Sequence, residues 1–322
     1  GPLWGYLAGW SFVAGKVASC AAMAFALGSY LWPDHARLGA LTAVVVFTAV
    51  NLAGVEKSAV VSIPLVTGVV VIVAVAAVVM LSGPGGSSPD LPSTPSGVLE
   101  AAGLLFFAFA GYARLATLGE EVREPARTIP QAIAVTFVFV LGLYAAAALA
   151  LLHALGASEL ADSVRPFVAG VDAADAGGLV PLVLIAAALA AGGALLSLML
   201  GVSRTTLAMA RDGHLPHGLA AVSQRTKVPH IAEIAVGVVV AALICFGDLV
   251  TSVAFSSFCV LVYYAIANAS AWTLTSALLP RLVSALGLAG CAALALSLPS
   301  STILIGAAVV AVGAALYAVR RR

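Results

Sequence analysis

The sequence predicts an all-α polytopic membrane protein with about ten transmembrane helices. Of its 322 residues, 62% are hydrophobic and 9% are charged, and the mean hydropathy is +1.12. A water-soluble globule of this length needs more polar surface than these residues provide. The net charge of +1, without a long basic run, argues against a nucleic-acid partner, because little would neutralise a phosphate backbone. A lipid bilayer is therefore the expected surroundings of this chain.

Ten apolar segments have the length that a membrane crossing requires, or nearly so. A helix rises about 1.5 Å per residue, so about 20 residues cross a hydrocarbon core of about 30 Å. The boundary between the second and third segments is the least defined, because only Glu56 separates them. The loops after the third, fifth and sixth segments are polar and rich in glycine and proline, as turns require. The segments are 3–31, 37–55, 57–81, 98–118, 129–155, 179–210, 230–246, 249–271, 281–297 and 300–319.

Basic residues are distributed unequally between the two sets of loops, which predicts the orientation. One set carries only Arg37 and Arg165. The other set is expected to be cytoplasmic together with the C-terminus, in a multi-pass protein of the cell membrane. Its basic residues are Lys57, Arg123, Arg127, Arg211, Arg225, Lys227, Arg281, Arg320, Arg321 and Arg322.

Lys16 is the polar residue that the apolar segments explain least. It lies about 13 residues into the first segment, near the bilayer midplane, where an ammonium costs on the order of 3 kcal/mol unless it has a partner. No acidic residue is expected at this depth, so backbone carbonyls, a substrate carboxylate or a group outside this sequence remain as partners. Lys16 is either a coupling residue or a structural buried lysine. Arg114 and Arg204 lie close enough to a helix end to reach the interface.

No pattern in the sequence indicates an enzyme or a cofactor. The three histidines His214, His217 and His230 share a loop, but no cysteine or carboxylate set completes a metal site. Asp248 follows a glycine, yet no second aspartate is expected at its depth. Nucleotide-binding loops, dinucleotide fingerprints and nucleophile elbows do not occur in the sequence.

Residues 106–130, FFAFAGYARLATLGEEVREPARTIP, place a glycine and small alanines between aromatic residues. A membrane helix is interrupted only where its backbone is buried in protein or lines a cavity, and transporters place substrate sites at such interruptions. Gly111 is therefore a candidate break in the 98–118 segment. The competing interpretation is that Gly111 only allows two helices to pack closely.

The same stretch resembles the sixth-span signature of the amino acid-polyamine-organocation transporter family, with its cytoplasmic turn of the form E-E-x-x-x-P-x-x-x-I-P. Residues 203–216, SRTTLAMARDGHLP, are similar to the end of the eighth span and the following loop of that family. Residues 9–24, GWSFVAGKVASCAAMA, look like its third span. The resemblance covers essentially the whole chain in register.

The resemblance implies an inverted-repeat fold of five plus five helices, leucine-transporter-like, with two peripheral helices. In that register residues 1–81 hold the last three helices of the first repeat, residues 98–271 hold the second repeat, and residues 281–319 hold the peripheral pair. The first two spans would then precede Gly1, so we expect this sequence to be a fragment that lacks part of the substrate site.

The resemblance also implies roles for residues around the break. Phe107 matches the aromatic residue that gates the substrate, Ala110 and Gly111 match the unwound backbone that contacts it, and Tyr112 follows as lining. Ser197 lies on a helix that often contributes to a cation site, although a serine in an apolar helix more often bonds its own backbone. Two charges found in family members are absent, since Ala113 and Val69 stand in their places.

The charged turn after the break is predicted to act as a cytoplasmic gate. Glu120, Glu121 and Arg123 follow the helix directly, together with Glu124 and Arg127. Exposed ion pairs of this kind are each worth less than about 1 kcal/mol, so a solvated loop is the competing interpretation.

The predicted function is secondary active transport of amino acids by alternating access, coupled to protons by symport. One alternative is an exchanger of amino acids or polyamines. Another is a membrane sensor or scaffold that does not transport, or an inactive fragment. The expected partners are an amino acid, H⁺ and the bilayer, with no cofactor and no metal.

Overall fold

The computed structural model describes residues 1–54, 59–86, 94–111, 122, 124–274 and 276–320, with side chains from residue 63 onward in the second range. These residues form eleven α-helices joined by turns and short 3-10 segments, and none of them lies in a strand. The helices are α1 Pro2–Leu31, α2 Ala36–Leu52, α3 Ala59–Ser82, α4 Pro95–Phe109, α5 Pro125–Asp162, α6 Pro166–Ala173, α7 Val180–Arg211, α8 His230–Phe246, α9 Leu249–Leu274, α10 Leu278–Ser297 and α11 Ser300–Arg320.

Helix lengths and composition confirm the all-α polytopic class. Among the described residues, eight helical segments are long and apolar enough to cross a membrane, and two shorter apolar helices, α4 and α8, have 15 and 17 residues. Large apolar side chains cover the outer faces, for example Val135 and Leu304, each 71% exposed. Such a surface suits lipid and would not suit water.

Nine of the ten predicted segments agree with observed helices to within a few residues. The exception is 98–118, because α4 ends at Phe109 and residues 112–121 lie outside the described part of the chain. The helical run of α5 also continues beyond the predicted end at residue 155. It does so across a kink at Gly156, whose φ of 73° belongs to the left-handed region that glycine tolerates.

Helix α1 lies at the centre of the bundle. It packs against α2, α7, α8, α9 and α11, and most of its residues from Gly15 to Ser29 are buried. This segment is rich in glycine, alanine and serine, and small side chains let membrane helices approach closely. The main apolar core joins α1 to α2, α7 and α8, and a second core joins α3, α5, α6 and α7.

The contact between α1 and α2 depends on Gly28. A methyl group at this position would lie 2.8 Å from the backbone nitrogen of Ala40, and backbone cannot move aside as a flexible side chain can. We expect Gly28→Ala to lower stability by at least about 1–3 kcal/mol through overpacking. Thermal unfolding in detergent measures this loss. Gly142→Ala is the matched control, since no described atom lies within 4 Å of its added methyl group, and an equal loss in both variants would contradict the expectation.

Two described arginines, one from each set of basic residues, form hydrogen bonds at opposite ends of the bundle. Arg37 donates to the carbonyl of Gly247 at 3.2 Å, between α8 and α9. At the opposite end, Arg320 donates to the carbonyl of Gly213, in the loop after α7, also at 3.2 Å. We call this second end, which also holds Arg211 and Arg225, the basic end.

Asp248 caps the N-terminus of α9. Its carboxylate accepts the backbone N–H of Thr251 at 2.9 Å and the Thr251 hydroxyl at 2.8 Å. The backbone hydrogen bond from Thr251 is the main cause that lowers the pKa of Asp248 below its usual value. Asp248 therefore has a structural role that its sequence context did not predict.

Replacing Asp248 by alanine should lower stability at neutral pH by about 1 kcal/mol, the usual effect of losing a helix cap. Because the pKa of the folded state is lowered, this stabilisation is present above the unfolded value of about 3.9 and disappears as the pH falls through the folded value. Melting temperatures of parent and variant, measured from neutral to acidic pH, should therefore converge. The exposed Asp34→Ala serves as the control, and a gap that widens in acid would contradict the expectation.

Candidate substrate site at the end of α4

Helix α4 ends next to Ala110, which is buried. Its last residue is Phe109, and the N–H of Ala110 bonds the carbonyl of Phe107 at 3.2 Å, which tightens the final turn. The last carbonyls of any helix need other donors, and the end carries partial negative charge. The glycine-centred sequence AGYA follows at this point, where the apolar periodicity of α4 gives way to small residues.

Lys16 provides the donor. Its ammonium nitrogen lies 3.2 Å from the carbonyl oxygen of Ala110, and the side chain is only 8% exposed. The same nitrogen lies 5.8 Å from the centre of the Phe12 ring, one turn earlier on α1, a distance at which a cation interacts with the ring face. A buried cation thus meets the negative end of a helix, which reduces the cost of burying both groups.

Three of the residues predicted to line the substrate site lie at this contact or next to it in the chain. Ala110 is buried, Phe107 is half-buried, and Gly111 is exposed. A methyl group added at Gly111 would meet no atom of the described residues within 4 Å. The structure therefore brings Phe107, Ala110, Gly111 and Lys16 into one region, although the spacing in sequence between Lys16 and Ala110 gave no indication of this.

Three other helices hold α4 in place through its carbonyl groups. In addition to Lys16 on α1, the Ser257 hydroxyl of α9 donates to the carbonyl of Leu104, and the Tyr144 hydroxyl of α5 donates to that of Ala108, both at 3.4 Å. The neighbouring hydroxyl of Ser256 shares a 2.7 Å hydrogen bond with Ser19 of α1. Helix α4 is therefore linked by hydrogen bonds to α1, α5 and α9.

Sequence reasoning missed the serines and the tyrosine of this arrangement. A serine pair within an apolar helix, as in FSSFCV at residues 255–260, is the signal that identifies α9 as a polar partner. Tyr144 carries no comparable signal, because tyrosine is common near membrane interfaces.

The remaining predicted site residues are not part of the observed contact. The hydroxyl of Ser197 donates to the carbonyl of Gly193 within α7, at 2.9 Å, as the competing interpretation expected. Ser203 likewise donates to Leu200, at 3.0 Å. Tyr112 and the predicted gate residues Glu120, Glu121 and Arg123 lie outside the described residues.

A second buried polar contact lies between α2 and α8. The side-chain nitrogen of Asn51 donates to Oε1 of Glu233 at 2.7 Å and lies 3.4 Å from the carbonyl of Leu196 on α7. Glu233 is 0% exposed, and its other oxygen has no hydrogen-bond partner among the described residues. The sequence placed Glu233 near a helix end but did not indicate that this carboxyl group is buried.

A bundle of long apolar helices, in which α4 ends beside the buried Lys16, is the arrangement expected of a polytopic membrane transporter. The chain belongs to the amino acid permease family, whose match covers residues 1–312. This confirms the resemblance to the amino acid-polyamine-organocation family, and the protein is a transporter rather than an enzyme.

Individual relatives agree with the family. An uncharacterized transporter of Mycobacterium tuberculosis is 53% identical over 328 residues, which span 100% of this chain and 74% of the relative. The branched-chain amino acid permease BcaP of Bacillus subtilis is 29% identical over 51% of this chain and 35% of its own length. A vacuolar cationic amino acid transporter of Arabidopsis thaliana is 30% identical over 52% of this chain and 26% of its own length.

Proposed function

We propose that this chain forms the greater part of a secondary active transporter that moves amino acids by alternating access around the end of α4. The observation that carries the proposal is the hydrogen bond from the buried Lys16 ammonium to the carbonyl of Ala110. It places a charged group at the interruption of a membrane helix, where transporters bind substrates and coupling ions. Membership of the amino acid permease family supplies the substrate class.

The backbone at Gly111 is proposed to contact the amino acid, with Phe107 closing over it. The carbonyl of Ala110 accepts a hydrogen bond from Lys16 and is also proposed to line the substrate site. A change in the protonation of Lys16 would therefore alter the backbone that contacts the substrate. Tyr112 follows in sequence and is proposed as further lining. A half-buried aromatic side chain has room to move, which suits a gate.

Lys16 is proposed to couple transport to protons. When the amine loses its proton, the positive charge leaves the C-terminal end of α4, and that end is no longer stabilised by a cation. An inward proton gradient can then change how α4 is held. Ser197 is the second coupling candidate, because it lies on α7, the helix that the family resemblance associates with a cation site.

The proposed architecture assigns α1 to α3, within residues 1–81, to the first repeat. Residues 98–271 form the second repeat, and α10 and α11, within residues 281–319, are peripheral. The basic end is proposed to face the cytoplasm with the C-terminus, in the cell membrane, because loops rich in arginine and lysine remain on that side.

The charged turn after the break is proposed to be the cytoplasmic gate. Reversing the charges of Glu120 and Glu121 to lysine should change the Michaelis constant or maximal rate of uptake severalfold, because ion pairs that hold the gate are replaced by repulsion. Membrane expression should stay within twofold of the parent if the two charges act on the gate and not on folding. Unchanged kinetics at normal expression would contradict the gate.

Uptake into proteoliposomes tests the proposed function. The 322-residue chain is compared with the same chain preceded by two N-terminal spans taken from the mycobacterial relative, each offered labelled branched-chain amino acids, cationic amino acids and polyamines. We expect pH-driven accumulation of an amino acid by the extended chain and none by the shorter one. Accumulation only against preloaded substrate would favour an exchanger, and no flux of any compound would favour a sensor or scaffold.

A further inference from the structure

A cavity lies at the basic end and is separate from the contact between Lys16 and Ala110. Its volume is about 170 Å³, and three separate parts of the chain enclose it: the first turns of α1, the loop after α7 and the last turn of α11. Its lining residues are Pro2, Tyr6, Gly213, His214, Tyr317 and Arg320. Nothing in the proposed transport cycle uses this cavity.

Arg320 provides the charge of this cavity. Its guanidinium donates one N–H to the carbonyl of Gly213 at 3.2 Å, which holds the side chain over the loop after α7. A guanidinium has five N–H donors in a planar fork, so one backbone bond uses a small part of its capacity. The remaining donors match the oxygen atoms of a phosphate group better than those of a single carbonyl.

Tyr6 provides the second polar group. It is 2% exposed, and its hydroxyl has no hydrogen-bond partner among the described residues although it lines the cavity. Its ring is fixed by edge-on packing against His214, with ring centres 5.3 Å apart, and by the Tyr317 ring at 5.2 Å. A buried hydroxyl without a partner is unusual in folded proteins, and an acceptor inside the cavity would satisfy it.

We propose that this cavity binds a phosphate group through Arg320 and Tyr6. The position at the end of three membrane helices makes the headgroup of an anionic phospholipid the favoured source, since basic residues next to membrane spans attract such lipids. A soluble phosphate ester has the same chemistry and is the other source.

Native mass spectrometry of the detergent-purified 322-residue chain tests the site with three probes. Phosphatidylglycerol carries the phosphate and acyl chains, diacylglycerol carries the acyl chains alone, and glycerol 3-phosphate carries the phosphate alone. We expect retention of phosphatidylglycerol and not of diacylglycerol. Competition by glycerol 3-phosphate at concentrations similar to the lipid would support the phosphate site and assign a soluble source, whereas its failure to compete would support the lipid source.

Two substitutions assign binding to the cavity. Arg320→Gln should weaken phosphatidylglycerol binding by about tenfold, because a charge-assisted hydrogen bond is lost, and Tyr6→Phe should weaken it by about threefold while its ring packing remains. Arg211→Gln is the matched control, since Arg211 is an exposed arginine of the basic end that does not line the cavity. Unchanged binding in both cavity variants, an equal effect of Arg211→Gln, or equal retention of diacylglycerol would overturn the proposal.

Discussion

Lys16→Ala is expected to abolish amino acid accumulation driven by a proton gradient in the extended chain while the protein remains folded. The substitution removes the ammonium that bonds the Ala110 carbonyl, so protonation no longer changes the charge at the end of α4. Loss of a coupling group should reduce accumulation to background. If the lost interaction stabilised the rate-limiting state of transport by more than about 2.7 kcal/mol, the decrease is at least about a hundredfold. The measurement is uptake at several external pH values with a fixed internal pH.

The controls separate coupling from folding. Lys16→Met keeps the length of the side chain without its charge, and it should lose pH-driven accumulation as completely as the alanine variant. Lys227→Ala removes an exposed lysine of the loop after α7 and should transport normally. Normal pH dependence in either Lys16 variant would sink the coupling role, and Lys16 would then be a structural residue that caps α4.

The spans could be predicted from the sequence because membrane insertion depends on local composition. A helix in lipid satisfies its own backbone, so hydropathy over about 20 residues defines it without knowledge of its neighbours. The segment 98–118 is the informative exception. Its hydropathy continues past Phe109, where α4 ends, and residues 112–121 lie outside the part of the chain that the structure describes.

Contacts between helices could not be predicted in this way. Lys16 was identified as an anomaly by its depth alone, and backbone carbonyls were among its possible partners, but Ala110 is 94 residues away in sequence. Likewise, nothing local distinguishes Ser257, which bonds α4, from Ser197, which bonds its own helix. A single sequence shows that a polar group in lipid needs a partner, but it does not identify that partner.

The hydrogen bonds to the carbonyl groups of α4 indicate how this helix responds to a change in the protonation of Lys16. Its carbonyls at Leu104, Ala108 and Ala110 accept from α9, α5 and α1 respectively, and the contact from α1 is the only one of these three that involves a charged donor. Hydrogen bonds between membrane helices average about 0.6 kcal/mol, whereas bonds to charged groups reach about 1.5–3 kcal/mol. The hydrogen bond from Lys16 is therefore the one that a change of protonation would alter most. The hydrogen bonds from Ser257 and Tyr144, which are neutral, would keep α4 in the bundle.

Asn51→Leu is expected to cause a large loss of stability. It removes the 2.7 Å hydrogen bond to Glu233, whose carboxyl group is 0% exposed and whose second oxygen already has no partner among the described residues. Leaving a buried polar group unpaired costs about 1–3 kcal/mol, and more when the group is charged. Thermal and denaturant unfolding in detergent should show this loss.

The double variant Asn51→Leu with Glu233→Leu distinguishes an unpaired carboxyl group from simple loss of packing. Replacing both members of a buried polar pair by apolar residues of similar volume is often neutral, so the double variant should be more stable than Asn51→Leu alone. A double-mutant cycle gives the interaction energy directly. Asn268→Leu is the matched control, because the Asn268 amide donates to the Tyr264 carbonyl of its own helix at 2.9 Å. If Asn51→Leu and Asn268→Leu cost the same, or if the two changes at Asn51 and Glu233 simply add, then the contact between α2 and α8 does not depend on this pair.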